Sequence, residues 1–343
     1  MTIFVFYDIL ILILKYLNNF GKNSIYLLTT GSASLTLGGF IMLQQFGFTD
    51  FMNRKKVGLI LRVFATDPAD IPKRIKMIEE FVDQAQVVAL ADKPVFKRID
   101  VLVWADPSFG DQSDCGQTTA AMREALVDRK NVHVSEVKRG DLFCGLLNYG
   151  IALQSRHGVD YSMIASGEAR DYLNDDTVKR MIDALCKGAL VTGVAINELT
   201  DSILEGRIAN TLAIWHNVSL MTVGSFDLSA AKPVDMRFAD YKRGWSKERE
   251  AVVYYHTAGV EELIPLARLI DLVKGPCIAP VLPMQDGGEV RYEAPDRAAQ
   301  PDLWERHISK MGTKLERQTA HLARIHCDIS YIKGGVMPEF CQF

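Results

Sequence analysis

The chain has 343 residues and a formal net charge of -3 at pH 7, and 48% of its residues are hydrophobic and 24% charged. This composition is that of an ordinary globular protein, long enough for one large α/β domain with additions or for two modest domains. Nucleic-acid-binding proteins normally carry a basic face, so the charge argues against nucleic acid as a partner. The 6 cysteines include no C-x-x-C pair, which indicates reduced thiols in a cytoplasmic protein and excludes a disulfide scaffold or zinc site.

Residues 1–51 differ from the rest of the chain because they carry few charges. Within them, residues 24–48 contain no charged residue and are long enough to cross a bilayer core of ~30 Å. The basic residues 54–56 follow directly and would keep the remaining chain on the cytoplasmic side. The alternative is an apolar extension with no part in the fold, because Met52 opens a stretch typical of a soluble α/β domain. The sequence leaves membrane association through residues 1–51 and a dispensable extension equally open.

From residue 52 onward, buried strands alternate with amphipathic helices. The apolar runs predict strands at 56–64, 98–106, 131–137, 160–165 and 189–196, and helical periodicity fills the intervals. Asp67 or Asp70 is suited to cap the first of these helices, with Pro72 in its first turn. This alternation predicts an α/β fold with a mostly parallel sheet flanked by helices. Residues 291–343 predict a helical C-terminal tail packed on the domain.

Polar residues gather where the predicted strands end, at 66–67, 106–114 and 166–171. Open parallel sheets bind ligands outside the carboxyl ends of their strands, so these positions predict a ligand site. The G-x-G-x-x-G, P-loop and G-x-S-x-G signatures are absent from the sequence. The pattern therefore places a site without naming a reaction.

Five segments between about residues 56 and 283 resemble motifs of the GT-A glycosyltransferases, in particular the large inverting family 2. The first two are VGLILRVFATD, at the first strand and its turn, and IDVLVWADPSFGDQSD, at the second strand and its acidic loop. KRGDLFCGLLNYGIALQSRHGVDYSMIASGEA resembles the helix and strand that lead to the family's D-x-D motif. VGSFD resembles the G-G-F-D of the acceptor side, and AGVEELIPLARLI resembles the E-D-x-x-L-x-x-R helix that carries the catalytic base. The resemblance implies a GT-A domain over residues 52–290.

By position, Ser166 and Glu168 replace the two aspartates of D-x-D. The family's last aspartate binds a divalent metal, so the resemblance implies that Glu168 holds Mg²⁺ or Mn²⁺, which prefer oxygen ligands. Glu262, or Glu261 with a one-residue slip, matches the catalytic base. Arg62 is placed near the phosphates, and the implied nucleotide site comprises Thr66, Asp67, Asp106, Arg139 and Ser166.

Each of these residues also has a purely structural interpretation. Glu168 is equally a solvated strand end or an ion-pair partner of Arg170, and Glu262 a carboxylate favoured at a helix N-terminus. Asp106 suits a turn before a proline, and Asp227 a helix or turn cap. Asn148 and Gly150 are predicted to be structural, with Gly150 allowing a helix to pack closely. Trp215 and His216 are predicted either to line the acceptor side or to pack in the interior.

Two functions from different classes follow. The first is an inverting glycosyltransferase that moves a sugar from a nucleotide-sugar donor to a glycan, lipid-linked or protein acceptor. The alternative is a non-catalytic GT-A-like module that binds a nucleotide, glycan or protein partner, which the neutral Ser166 favours. A nucleotidyltransferase normally opens with a Gly-rich loop and a basic residue, which RVFATDPAD lacks. The predicted location is the cytoplasm, or the cytoplasmic face of a membrane if residues 1–51 associate with it.

Overall fold

The computed structural model describes residues 45–65, 67–104, 116–138, 144–194, 208, 211–231, 261–281, 296–301, 304–305 and 314–340. The strands in these ranges are β1 Val57–Val63, β2 Ala89–Leu90, β3 Lys93–Pro94, β4 Phe96–Trp104, β5 Val132–Val137, β6 Tyr161–Ala165, β7 Val191–Val194, β8 Leu212–His216 and β9 Ile278–Val281. The α-helices are α1 Phe48–Arg54, α2 Ile71–Val87, α3 Gln117–Ala125, α4 Cys144–Arg156, α5 Asp175–Cys186, α6 Asn217–Thr222, α7 Leu263–Val273, α8 Lys314–Ala323 and α9 Ile329–Gly334.

Seven of these strands form one sheet in the order β5-β4-β1-β6-β8-β7-β9. Strand β8 runs antiparallel to both of its neighbours, and the other pairs are parallel. The prediction of an α/β fold with a mostly parallel sheet is therefore confirmed. The five predicted strands correspond to β1, β4, β5, β6 and β7, whereas β8 and β9 were not predicted as strands.

Helices cover both faces of this sheet. On one face α1, α2 and α5 bury apolar side chains such as Phe51, Phe81 and Met181 in a common cluster. On the other face α4 and α7 bury Leu147 and Leu266 in a second cluster, to which the tail helices contribute. Burying an apolar side chain of this size stabilises a fold by ~1.5–3 kcal/mol. The sheet is therefore held between two apolar layers, and its strand ends carry the polar residues.

The two ends of the described chain pack on the sheet. The Phe51 ring is fully buried and its centroid lies 5.1 Å from that of Tyr161. The domain boundary predicted at residue 52 therefore falls inside the packed helix α1. In the tail, Ile332 is fully buried and the Met337 amide donates to the Ile278 carbonyl at 2.9 Å. None of the helices in the described ranges has both the length and the apolar character of a membrane span.

A buried polar network joins the sheet to helix α4 near the amino ends of the strands. The Asp100 carboxylate is fully buried and pairs with the Arg98 guanidinium, with Nη2 to Oδ1 at 2.7 Å. The Gln154 amide donates to Asp100 Oδ2 at 3.1 Å and to the Leu59 carbonyl at 2.9 Å. Ser162 Oγ donates to Gln154 Oε1 at 2.6 Å. Because every buried polar group in this network has a partner, it fixes α4 against the sheet at little cost.

Gly58 on β1 leaves the space that the Gln154 amide occupies, since a Cβ at residue 58 would lie 2.4 Å from Gln154 Oε1. We expect Gly58→Ala to displace Gln154 and lower the free energy of unfolding by about 1–3 kcal/mol. Urea denaturation would measure the loss. The matched control is Gly275→Ala, where an added Cβ meets nothing within 4 Å and where the change should stay within about 0.5 kcal/mol. Equal effects of the two substitutions would contradict this account of the network.

His216 ends the antiparallel strand β8, so it lies at the amino edge of the parallel strands. Its Nδ1 lies 2.7 Å from Ser219 Oγ, and its ring centroid lies 4.9 Å from that of Tyr161. Burial, with a smaller contribution from the nearby Lys55 ammonium, lowers the pKa of His216 to about 4. The unfolded imidazole binds its proton near pH 6.5, so acid favours the unfolded chain. The prediction that His216 lines an acceptor site is not supported by this position.

We therefore expect the stability that neutral His216 allows to be complete above about pH 6.5 and to be lost as the pH falls toward about 4. Between pH 7.5 and pH 5 the loss amounts to about 2 kcal/mol. Urea denaturation at a series of pH values would measure it, with His216→Asn as the control that lacks the titrating group. If the variant loses stability in acid as steeply as the natural chain, His216 is not the group responsible.

Candidate functional site

Only some residues of the predicted nucleotide site lie in the part of the chain that the structure describes. Thr66, Asp106 and Arg139 lie outside the described residues. Asp67 is exposed, and its Oδ1 accepts a hydrogen bond from the Ala69 amide at 2.8 Å. Asp67 therefore caps the short 3₁₀ helix Pro68–Asp70 and not the predicted α-helix, whose N-cap residue Asp70 makes no side-chain capping hydrogen bond. The role of Asp67 in nucleotide binding stays a prediction.

Ser166 and Glu168 directly follow the central strand β6. Ser166 keeps an extended backbone and its amide donates to the Thr211 carbonyl at 3.0 Å. Its Oγ is buried and has no hydrogen-bond partner among the described residues. Glu168 belongs to the 3₁₀ helix Gly167–Tyr172, and its side chain lies outside the description. Its metal-binding role therefore also stays a prediction.

The 3₁₀ helix that carries Glu168 is held against helix α2. Arg170 Nη1 forms an ion pair with Glu80 of α2, and Arg170 Nε contacts Asp171 Oδ1 at 3.1 Å. A Cβ on Gly167 would lie 2.5 Å from Met77 Sδ, so a larger residue at 167 would displace the Met77 side chain of α2. The backbone at the carboxyl end of β6 is thus positioned by side chains of α2.

An aromatic and cationic group lies at the ends of the neighbouring strands β1 and β4. The Phe64 and Trp104 ring centroids are 5.9 Å apart and meet edge to face at 69°. The Arg74 guanidinium carbon lies 5.6 Å from the Phe64 centroid. Both rings are half-buried. Half-buried aromatic rings beside a guanidinium suit contact with a ligand that combines a planar ring with negative charge.

Acidic residues surround the first turn of helix α4. The Cys144 thiol is buried, and burial raises its pKa above the usual range, with further raising contributions from the charges of Glu261, Glu262 and Asp227. The Arg62 guanidinium acts in the opposite direction on the same thiol. Four charged side chains therefore act on the same thiol: Arg62 on β1, Asp227 after α6, and Glu261 and Glu262 directly before α7. We call Asp227, Glu261 and Glu262 the carboxylate cluster.

Glu262 is the most buried member of this cluster, with 3% of its surface exposed. It occupies the N-cap position of α7, but its side chain makes no capping hydrogen bond. This position agrees with the structural interpretation of Glu262 as a carboxylate at a helix N-terminus, and its role as the base stays a prediction. Glu261 precedes it and is only half-buried. The two candidates for the base thus differ in burial, which favours Glu262 for chemistry that must exclude water.

Asp227 is positioned by two contacts. The Asn148 side chain of α4 donates to the Phe226 carbonyl at 2.8 Å and accepts from the Phe226 amide at 2.9 Å. Arg268 of α7 contacts Asp227, with Nη2 to Oδ2 at 3.4 Å. Beneath them the buried Trp215 packs edge to face on Phe226 with centroids 5.2 Å apart. Trp215 is therefore a core residue that supports the segment, and not a lining of the site.

Four members of this region were not predicted from the sequence: Phe64, Arg74, Cys144 and Arg268. Arg268 is the arginine of the E-D-x-x-L-x-x-R pattern, so that pattern contained its signal. The other three had none, because an arginine on an amphipathic helix and single apolar or thiol residues are common anywhere. Among the described residues, no group of three or more histidine, cysteine or acidic side chains has the geometry of a metal site.

Comparison with known proteins yields only distant similarities. No family model and no curated protein matches the chain. The structure of a cytidylyltransferase from Leptospira borgpetersenii serovar Hardjo-bovis (strain JB197) is 11% identical, with 61% of this chain and 74% of that chain covered at a TM-score of 0.34. That of 4-diphosphocytidyl-2C-methyl-D-erythritolsynthase from Anaerococcus prevotii DSM 20548 is 11% identical, with 50% and 75% covered at a TM-score of 0.36. Similarity of this degree concerns the general arrangement of the fold only.

The paired hydrogen bonds of Asn148 allow a direct test of how Asp227 is held. Asn148→Ala leaves the Phe226 amide and carbonyl without this partner, and we expect a loss of about 2–4 kcal/mol in the free energy of unfolding. We also expect faster hydrogen exchange at the Phe226 amide. Tyr149→Ala, at a neighbouring side chain that is 43% exposed, serves as the control and should change stability by about 0.5 kcal/mol or less. Unchanged exchange at Phe226 would show that Asn148 does not hold the segment.

Proposed function

We propose that the chain is an inverting glycosyltransferase that moves a sugar from a nucleotide-sugar donor to a hydroxyl acceptor. The observation that carries the proposal is the buried Glu262 carboxylate at the start of α7, within electrostatic reach of the α4 N-terminus. The strands β1, β4 and β6 end at the same edge, which is where such sheets bind ligands. The motif resemblance of residues 56–283 supports a nucleotide-sugar as the ligand in this proposal.

The chemistry requires a base, a held donor and a stabilised leaving group. Glu262 accepts the proton of the acceptor hydroxyl, whose oxygen forms a bond to the anomeric carbon. The bond between that carbon and the donor diphosphate breaks in the same step, so the configuration inverts without a covalent intermediate. In this proposal the half-buried Trp104 ring, which meets Phe64 edge to face, contacts the base of the nucleotide near the Arg74 guanidinium.

The resemblance also implies a divalent metal, and the residues at the end of β6 fit one. The orphaned Ser166 hydroxyl and the Glu168 carboxylate are oxygen donors of the type that Mg²⁺ and Mn²⁺ prefer. Glu168 would hold the metal, which when bound neutralises charge on the leaving diphosphate. The acceptor, in this proposal, is a glycan, a lipid-linked sugar or a protein hydroxyl near Asp227.

A thermal-shift panel tests the donor. UDP-, GDP-, CMP- and dTDP-sugars would each be added with and without Mn²⁺ or Mg²⁺. A ligand at about 100 times its Kd stabilises a fold by ~2.7 kcal/mol, which a melting curve resolves. Stabilisation by one donor, followed by release of its nucleotide in the presence of acceptor sugars, supports the enzyme. Binding without any release or transfer would instead identify a non-catalytic binding module, and no binding by any donor would overturn the proposal.

The two adjacent glutamates allow the base to be assigned by a matched pair of variants. We expect Glu262→Gln to lower kcat by about 10²–10⁴-fold, because general-base catalysis contributes that much. Donor affinity should change little, since the substitution keeps the shape of the side chain. Glu261→Gln is the control and should retain most of the activity. A large loss in Glu261→Gln together with an active Glu262→Gln would assign the base to the other residue.

A further inference from the structure

Arg74 is a half-buried cation at the carboxyl edge of the sheet. It lies in the first turn of α2, the helix that follows β1, so it stands beside the end of that strand. Its guanidinium carbon lies over the Phe64 ring, 5.6 Å from the centroid. Contact with a ring face uses the charge of a guanidinium but none of its N–H groups. The Arg74 Nε is buried and has no hydrogen-bond partner in the part of the chain that the structure describes.

No carboxylate of the described residues forms an ion pair with Arg74. The nearest acids in the sequence are Asp67, which accepts the Ala69 amide, and Asp70, whose side chain makes no capping hydrogen bond. The carboxylate cluster lies by α4, on the face of the sheet opposite to α2. An arginine fork whose N–H groups are not engaged can bind two oxygens of a phosphate at once. The contacts of Arg74 therefore leave its donors to a ligand.

Two further buried polar atoms at the same edge have no hydrogen-bond partner within the described ranges, Thr119 Oγ1 and Ser166 Oγ. Thr119 is 1% exposed and lies in the first turn of α3, which follows the carboxyl end of β4. Ser166 directly follows β6. Buried polar atoms in native proteins are nearly always paired with protein, water or a ligand. Three such atoms at one edge of the sheet are thus an observation, independent of the Phe64 contact, that indicates a ligand there.

The ligand that suits this edge combines an anion with a planar ring. Trp104 ends β4, and its half-buried ring meets Phe64 edge to face with centroids 5.9 Å apart. Phe64 therefore joins an aromatic contact to the Arg74 cation. A nucleoside would satisfy the ring contact and leave the guanidinium without a partner, and inorganic phosphate would do the reverse. A nucleotide satisfies both.

We propose that Arg74 binds a phosphate of the nucleotide whose base contacts Trp104, and that the protein recognises the nucleotide through this charge. The identification of this nucleotide as part of a sugar donor rests on the proposed function. The assignment of Arg74 itself rests on its own contacts.

Isothermal titration of the full chain with ligands that differ only in their phosphates tests this inference. Uridine, UMP and UDP, and the corresponding cytosine, guanine, adenine and thymine compounds, would be titrated in the presence of Mn²⁺. We expect one nucleoside diphosphate to bind, and Arg74→Gln to weaken its binding by about 10- to 100-fold. The nucleoside of the same base should bind far more weakly, with an affinity that does not depend on Arg74. Arg74→Lys should retain part of the affinity for the diphosphate, because it keeps the charge but loses the fork.

Lys73→Gln is the matched control, because Lys73 is the exposed neighbour of Arg74 on α2 and loses the same charge. We expect it to change the affinity less than about two-fold, as for other solvent-screened charges. Melting curves give a second readout. Because the buried Nε has no partner, Arg74→Met, which keeps an apolar stem, should not lower the melting temperature by more than about 2 °C. A larger fall would show that Arg74 is a packing residue and would overturn the inference.

The titrations separate this inference from the proposed function. Nucleotide-sugar and nucleoside diphosphate binding that is unchanged in Arg74→Gln would overturn the role of Arg74 and leave the proposed function standing. A loss that is equal for the nucleoside and the diphosphate would also overturn that role. Binding of a nucleoside diphosphate that depends on Arg74, with no nucleotide-sugar bound, would support the role of Arg74 and overturn the proposed function. No binding by any of these probes overturns both.

Discussion

The close approach of helix α4 to the central strand β1 is the constraint on which the rest of the described structure depends. At one end of the helix, Gln154 reaches across the glycine at residue 58 to bond the Leu59 carbonyl. In its middle, a Cβ on Gly150 would lie 2.8 Å from Leu102 Cδ1, so a larger residue would push the helix off the sheet. Nearer its amino end, Asn148 forms two hydrogen bonds with the backbone of Phe226. Helix α4 is therefore fixed by the polar network of Gln154, by the packing of Gly150 and by the hydrogen bonds of Asn148.

This arrangement explains why residues distant in sequence act on one thiol. Helix α4 carries Cys144 to the carboxyl end of β1, where Arg62 lies, and α7 begins near the same point with Glu261 and Glu262. Helix α7 in turn contributes the Arg268 contact to Asp227, on the segment that Asn148 holds. Removing the tight packing at Gly150 or Gln154 would shift α4, and with it every charged group that is placed relative to α4. The packing that stabilises the core therefore also sets the geometry of the candidate site.

Much of the fold could be predicted from the sequence because its signals are local. Apolar runs and helical periodicity predicted β1, β4, β5, β6, β7 and the helices between them, and Gly150 has the close-packing role that was predicted for it. The strand β8 was not predicted because an apolar stretch of five residues fits a strand and a buried helix segment equally well, and nothing in such a stretch reveals its direction. Its direction then decides the place of His216, which would lie at the ligand edge if β8 were parallel. The direction of a strand is defined by its pairing with neighbouring strands, so it cannot be predicted from the sequence of that strand alone.

The candidate site was predictable only where a residue type carried its own chemical signal. Glu262 and Ser166 could be chosen because a glutamate near a helix start and a serine in the place of an aspartate at a strand end fit a recognisable motif order. The hydrogen bonds of Asn148 to Phe226 join segments far apart in the chain, and no single segment contains that information.

The candidate site contains charges of both signs. The cation Arg62 lies on β1, the carboxylate cluster lies before α7 and after α6, and both act on the first residue of α4. A displacement at an anomeric carbon develops negative charge on the leaving diphosphate and releases a proton from the acceptor. Positive charge is favourable at the first place and a carboxylate at the second, and exchanging them would oppose the reaction at both. A site that only bound a nucleotide would need the cation alone, because the anion gains nothing from a nearby buried carboxylate. The burial of Glu262 at that position is consistent with a group that takes up a proton, and it is therefore the feature that most favours chemistry over simple binding.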